Sequence, residues 1–159
     1  MDVLNDSLLK FWKCLNEHDV QYIMIGGFAI RFHGFNRSTD DLDMWIEDTT
    51  ANRKKLRAAF KELEYGDLPM LETMDFIPGW TNFHIGEGME LDILTEMKGL
   101  ENTSFKQCKE QASIAEIAGI RIPFLHINQL IENKKATNRP KDRIDVIELE
   151  KILQLRGSK

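Results

Sequence analysis

The tightest constraint on this chain lies in residues 25–46, which read Ile-Gly-Gly-Phe-Ala-Ile-Arg-Phe-His-Gly-Phe-Asn-Arg-Ser-Thr-Asp-Asp-Leu-Asp-Met-Trp-Ile. An apolar run stops at Gly26-Gly27 and a short amphipathic stretch follows. A second apolar run then carries Asp41 and Asp43 one residue apart. Side chains alternate between faces along a strand, so the two carboxylates share one side and Leu42, Met44 and Ile46 take the other. Two carboxylates held this close repel each other unless a cation lies between them. Mg²⁺ is a hard ion that accepts carboxylate and phosphate oxygens, and it suits such a pair. A solvated acidic edge is the bland alternative, and an Asp-x-Asp on its own does not choose between the two.

Two further features bear on that choice. Gly26 and Gly27 carry no Cβ, so backbone there can approach a phosphate closely, and the N-terminus of a following helix favours an anion. A tight strand-to-helix turn that binds nothing is the competing reading. Farther along, Met-Glu-Leu-Asp-Ile-Leu at 89–94 places Asp92 inside an apolar strand, with Leu91 and Ile93 on its other face. An aspartate in a buried strand calls for a partner or a metal. If this strand lies beside the first, Asp92 completes a cluster of three carboxylates. Glu90 shares its face and is the reserve candidate, whereas Asp40 points away from the pair.

The surrounding pattern is that of a mixed α/β or α+β domain. Helical periodicity covers 4–16, 28–33, 51–64, 126–136 and 141–154, with Asp48-Thr49-Thr50 as the N-cap region of the third helix and Pro140 opening the last. The last helix carries Ile144, Ile147, Leu149, Ile152 and Leu153. Strands are expected at 21–25 and 42–46, then as two hairpins. One pairs 81–85 with 89–94 across Gly86-Glu87-Gly88, and the other pairs 114–117 with 120–122 across Ala118-Gly119. Residues 66–79 read as loop, and 104–111 is ambiguous.

A length of 159 residues fits one domain over 1–159, and 42% hydrophobic with 30% charged residues excludes a disordered chain. No apolar stretch approaches the roughly 20 residues that span a bilayer, and the acidic start Met-Asp-Val-Leu-Asn-Asp is not that of a signal peptide. The expectation is a cytoplasmic protein without membrane contact. A net charge of −5 argues against a general nucleic-acid binder, while leaving room for a local basic patch. Cys14 and Cys108 are read as reduced thiols, and four scattered histidines without an HxxxH pair argue against zinc.

The last informative segment, 130–145, reads Leu-Ile-Glu-Asn-Lys-Lys-Ala-Thr-Asn-Arg-Pro-Lys-Asp-Arg-Ile-Asp. Together with Gly-Gly, Asp-x-Asp and the strand aspartate, over about 22–149, it resembles the nucleotidyltransferase-fold (polymerase-beta-like) superfamily. Within that superfamily it is similar to bacterial minimal nucleotidyltransferases of the abortive-infection and toxin–antitoxin type. The resemblance implies an α+β nucleotidyltransferase fold, a small mixed sheet flanked by helices, with C-terminal helices over 126–155 packed on it. It implies Mg²⁺-dependent transfer of a nucleoside monophosphate from an NTP, by default ATP, to an acceptor hydroxyl. Asp41 and Asp43 would hold two metal ions, with Asp92 as third ligand or general base. Gly26 and Gly27 would cradle the triphosphate, and Lys134, Lys141 and Arg139 would offset its charge.

Phe28 stands where many relatives carry a hydroxyl. Ser38 or Thr39 could replace it, and Arg37 could grip a phosphate bidentately. Lys141 and Asp145 could instead pair at i,i+4 as ordinary helix-surface charges. Trp45 shares the carboxylate face, with packing favoured over base stacking, and His33 and His84 read as structural. The acceptor stays open among RNA, protein and a small molecule, because its pocket would come from variable segments such as 66–79. A lincosamide-type antibiotic nucleotidyltransferase is one alternative. A non-catalytic toxin–antitoxin component that binds a small helical partner protein is another.

Overall fold

A computed structural model describes residues 5–37, 41–77 and 82–157. Its helices are α1 (Asp6–Glu17), α2 (Gly26–His33), α3 (Thr50–Glu62), α4 (Phe105–Gln111), α5 (Ile127–Thr137) and α6 (Pro140–Gly157). Its strands are β1 (Tyr22–Ile25), β2 (Asp41–Ile46), β3 (Asn82–His84), β4 (Glu90–Leu94), β5 (Ser113–Ile117) and β6 (Ile120–Phe124). A 3-10 turn at Pro69–Glu72 interrupts the expected 66–79 loop.

The strands form one mixed sheet in the order β3-β4-β2-β1-β6-β5. β2 runs parallel to β4 and β1 parallel to β6, while the other neighbours are antiparallel. This is the small mixed sheet with helices that the pattern predicts. Alternation in β2 buries Leu42, Met44 and Ile46 completely and leaves Asp41 exposed and Asp43 half-buried. All four residues of β1 are buried, as a strand near the centre of a covered sheet requires. Aromatic packing ties the helices to that centre: Trp12 of α1 and Phe28 of α2 meet Phe124 of β6 at ring distances of 6.4 Å and 6.3 Å.

Local chemistry sets most boundaries. The Asn5 side chain caps α1 by accepting from the N–H of Ser7 and Leu8, and Thr49 caps α3 by accepting from Asn52. The ambiguous 104–111 segment is helical because Ser104 and Gln107 close a capping box around the N-terminus of α4. Ala118 and Gly119 both have positive φ, the geometry of a two-residue type I′ hairpin. Ser38, Thr39, Asp40 and the strand-start residue Thr81 lie outside the described residues, as does the expected helix start at Leu4.

Two expectations change. α2 begins at Gly26 and not at Phe28, because Gly26 turns the chain at φ +68° immediately after extended Ile25. The last helix is helical as predicted, but only part of its apolar set packs inward, with Leu149 buried and Val146 and Ile152 against the core. Ile144 and Ile147 are more than half exposed, while Asp142, Asp145 and Leu149 are buried. The inward face of α6 carries carboxylates, and their partners lie in the cleft described below.

Asn52 holds the far end of β2 to β1. Its side chain accepts from the N–H of Gln21 at 2.7 Å and donates to the carbonyls of Gln21 and Glu47 at 3.0 and 2.8 Å. Replacing it with Leu leaves the part-buried Gln21 N–H and Glu47 carbonyl without this partner, while the Gln21 carbonyl keeps the Glu47 N–H at 3.2 Å. Asn52→Leu should lose on the order of 2–4 kcal/mol, measured by urea unfolding.

Candidate active site

The site begins with strand register. Ile25 of β1 lies opposite Asp43 of β2, and Asp43 lies opposite Asp92 of β4. One row therefore crosses three strands and ends beside the start of α2. Gly26 follows Ile25 directly, and a Cβ there would run into Oδ2 of Asp43. The glycine is required twice, for its positive φ and for the close approach of the carboxylate. No side chain caps α2 at Ile25, so its first N–H groups open beside Asp43.

These residues line a cleft of about 1180 Å³. One wall is Gly26, Gly27, Asp41, Asp43 and Asp92; the facing wall is Arg37, Lys134, Arg139 and Lys141. Trp45, two residues beyond Asp43 on the same strand face, packs edge-on against Phe105 at 5.2 Å and lines the cleft with Phe76 and Leu94. Every described residue proposed from sequence for metal or nucleotide, the reserve Glu90 apart, therefore borders one cavity. Glu90, the reserve carboxylate, lies opposite Asp41 and 3.8 Å from exposed His84. Phe28 is buried against Trp12 and Phe124, so its position contributes packing and no hydroxyl. His33 is structural: Nε2 meets the Leu125 carbonyl at 2.8 Å and Arg156 of α6 reaches its Nδ1 at 3.3 Å.

Electrostatics on the two walls are opposite. Burial, reinforced by Asp92 and Asp41, pushes the Asp43 carboxyl up to about 6 against the pull of Lys134 and Lys141. An all-oxygen donor set on one face of two neighbouring strands, with one member's carboxyl pushed up, fits a hard divalent cation such as Mg²⁺.

The cations on the facing wall are held by the carboxylates of α6. Asp145 meets Nη1 of Arg37 at 2.6 Å and Nζ of Lys134 at 3.9 Å. Asp142 takes Lys134 at 3.5 Å, Nε of Arg139 at 2.8 Å and the Thr137 hydroxyl at 2.7 Å. It also accepts from the Arg139 N–H at 3.0 Å, closing the N-terminus of α6. Burial acts to raise Asp142, but hydrogen bonds from Arg139 and Thr137, with Lys134 beyond, hold it well below the usual carboxylate range. Burial pushes Lys134 down while the two carboxylates support its charge. The alternative Lys141–Asp145 surface pair gives way to a buried one: Asp145 turns inward to Arg37 and Lys134, and Lys141 remains exposed at the cleft.

Sequence reading missed the 95–103 loop, which supplies Thr95, Glu96, Met97, Lys98, Leu100, Glu101 and Thr103 to the cleft. Its signal was its position, directly after the strand that carries Asp92. Gly99 anchors it on α5, where a Cβ would strike the Glu132 carbonyl, and Asn133 donates to the Lys98 carbonyl at 2.8 Å.

No protein-family model matches the chain, and a search of curated proteins finds no match. Solved structures do match. The lincosamide antibiotic adenylyltransferase LnuA, lincomycin-bound, aligns at TM-score 0.59 and 14% identity over 96% of this chain and 99% of that one. ANT(2″)-Ia in complex with adenylyl-2″-tobramycin aligns at 0.55 and 20% identity, over 95% and 93%. A Thermotoga maritima protein assigned as a nucleotidyltransferase aligns at 0.55 and 17%, over 94% and 88%. The chain has the nucleotidyltransferase fold.

Two outcomes follow from the acidic wall. Gly26→Ala should lose about 1–3 kcal/mol in chemical denaturation, from strain at positive φ and displacement of Asp43. Asp43 titrates near 6 in the folded chain but at its ordinary 3.8 when unfolded. The unfolded state therefore sheds its proton first, and stability falls as pH rises from about 4 through 6. Asp43→Asn removes that loss. In metal-free buffer its Tm should exceed that of the parent above pH 6 by roughly 2–4 °C for each kcal/mol recovered. The difference should vanish near pH 4.

Proposed function

We propose that the protein is a Mg²⁺-dependent nucleotidyltransferase that moves AMP from ATP to a hydroxyl of a small-molecule acceptor. The observation that carries this reading is the in-register pair Asp43–Asp92 beside the uncapped start of α2, facing a wall of cations in one cleft. The cleft volume exceeds the roughly 300–1000 Å³ of a pocket for one small ligand, which favours two substrates held side by side. Adenylyl is the group named for both LnuA and ANT(2″)-Ia, and each was solved with an antibiotic or its adenylyl derivative. ATP and a drug-like hydroxyl are therefore the first substrates to test.

Asp41, Asp43 and Asp92 are the residues that would hold Mg²⁺, which supplies charge neutralisation and Lewis acidity at the reacting phosphate. Backbone N–H groups at Gly27 and the next turn donate to the terminal phosphates, where the partial positive charge of the helix end is greatest. Lys134, Arg37 and Arg139 offset the remaining charge from fixed positions, and exposed Lys141 closes over the mouth. Asp92 takes the acceptor proton as the acceptor oxygen bonds to the α-phosphorus and the bond to the β-phosphate breaks, releasing pyrophosphate. The aromatic wall of Trp45 and Phe105 keeps water from competing as acceptor.

A second reading, protein binding without catalysis as in a toxin–antitoxin component, draws on the exposed apolar residues Ile144, Ile147 and Leu155 of α6. One experiment separates the two. ATP labelled in the α-phosphate is incubated with the protein, Mg²⁺ and a panel of lincosamides, aminoglycosides, RNA and cell extract, beside Asp41→Ala/Asp43→Ala. Label should move to a small molecule at least roughly 10³-fold faster with the parent. If the parent neither transfers label nor binds ATP with Mg²⁺ in calorimetry, the catalytic reading is wrong.

A further inference from the structure

Away from the cleft, the C-terminal ends of α1 and α3 converge on Cys14, His18 and Glu62. Cys14 and His18 stand one helical turn apart, and Glu62 is the last residue of α3. Sγ of Cys14 donates to Oε2 of Glu62 at 2.8 Å, and Nε2 of His18 lies 3.1 Å from the same oxygen. The three ligand atoms all fall within 4.8 Å of one another. Among the described residues, they are the one trio of His, Cys, Asp and Glu side chains gathered so closely.

The surroundings favour a cation. Two helix C-termini bring partial negative charge to the point where the side chains meet. α1 has no basic residue in its last turn, while α3 has Lys61 there. Glu17 adds a formal charge near Cys14, which Lys10 opposes from the preceding turn. Cys14 is buried at 5% exposure, whereas the His18 and Glu62 side chains keep 27% and 57%. A metal entering from solvent thus meets two movable ligands over one fixed one.

We propose that Cys14, His18 and Glu62 form a Zn²⁺ site, with water in the fourth position. Thiolate, imidazole and carboxylate together are a donor set for a borderline ion in tetrahedral geometry, and not for Mg²⁺. Bonds of about 2.0–2.3 Å separate neighbouring ligand atoms by roughly 3.3–3.8 Å, so small outward shifts of His18 and Glu62 open the observed cluster to that size. Binding displaces the thiol proton to solvent and pins α1 to α3. The absence of paired histidines argues against zinc in the sequence because it considers one segment at a time. Here the third ligand comes from another helix, 44 residues beyond His18.

The test uses the full chain freed of metal by chelation and titrated with Co²⁺ as a spectroscopic probe. The expected result is a thiolate-to-Co²⁺ charge-transfer band that saturates at one equivalent and disappears on adding Zn²⁺. It should be absent in Cys14→Ser and require roughly tenfold more Co²⁺ in His18→Ala or in Glu62→Gln, whose side chain is exposed enough for the fold to tolerate the change. Asp43→Asn should keep the band in full, so the result stands apart from any outcome at the cleft. No thiolate band in the parent, a band that survives Cys14→Ser, or unchanged affinity in Glu62→Gln would each overturn the site.

Discussion

The cleft depends on a contact that only glycine permits. Oδ2 of Asp43 occupies the space where residue 26 would otherwise carry a Cβ. That contact places a carboxylate beside free N–H groups at the start of α2, bringing a cation-seeking and an anion-seeking element within one side chain of each other. The strand register then repeats the carboxylate one strand over at Asp92. A bulkier residue at 26 would separate the two halves while leaving the sheet intact.

The opposite wall is held by charge as much as by packing. Arg37 and Lys134 would be costly to bury alone, and Asp142 and Asp145 of α6 supply their partners. The arrangement explains why the inner face of α6 carries two carboxylates beside Leu149, with Ile144 and Ile147 left outside. It also fixes the cations in place before any anion arrives, so their entropy is not spent at binding. Exposed Lys141 has no such restraint and stays adaptable at the mouth.

Much of this was legible in the sequence where chemistry is local. Alternation around Asp41 and Asp43, the capping of α3, Pro140 at the start of α6 and the two hairpins are one-segment properties. The fold class followed from their order. What was not legible depends on partners far apart in the chain. Asp145 lies within one turn of Lys141, and local spacing allowed that pair; its actual partner Arg37 lies 108 positions away. The 95–103 loop has no motif, only a place after a strand. Cys14 and His18 became a cluster through Glu62, which belongs to another helix.

The order of the contributing segments has a consequence for how the molecule comes into being. Gly26 and Asp43 leave the ribosome before Asp92, and Lys134 with its α6 carboxylates leaves after all three. β2 must wait for β4 to complete its parallel pairing, and parallel partners distant in sequence are slow to meet. Until then the chain carries an acidic strand with an unpaired edge, the kind of surface that invites aggregation or chaperone capture. The cleft is therefore complete only once α5 and α6 bring their cations to the carboxylates of β2 and β4.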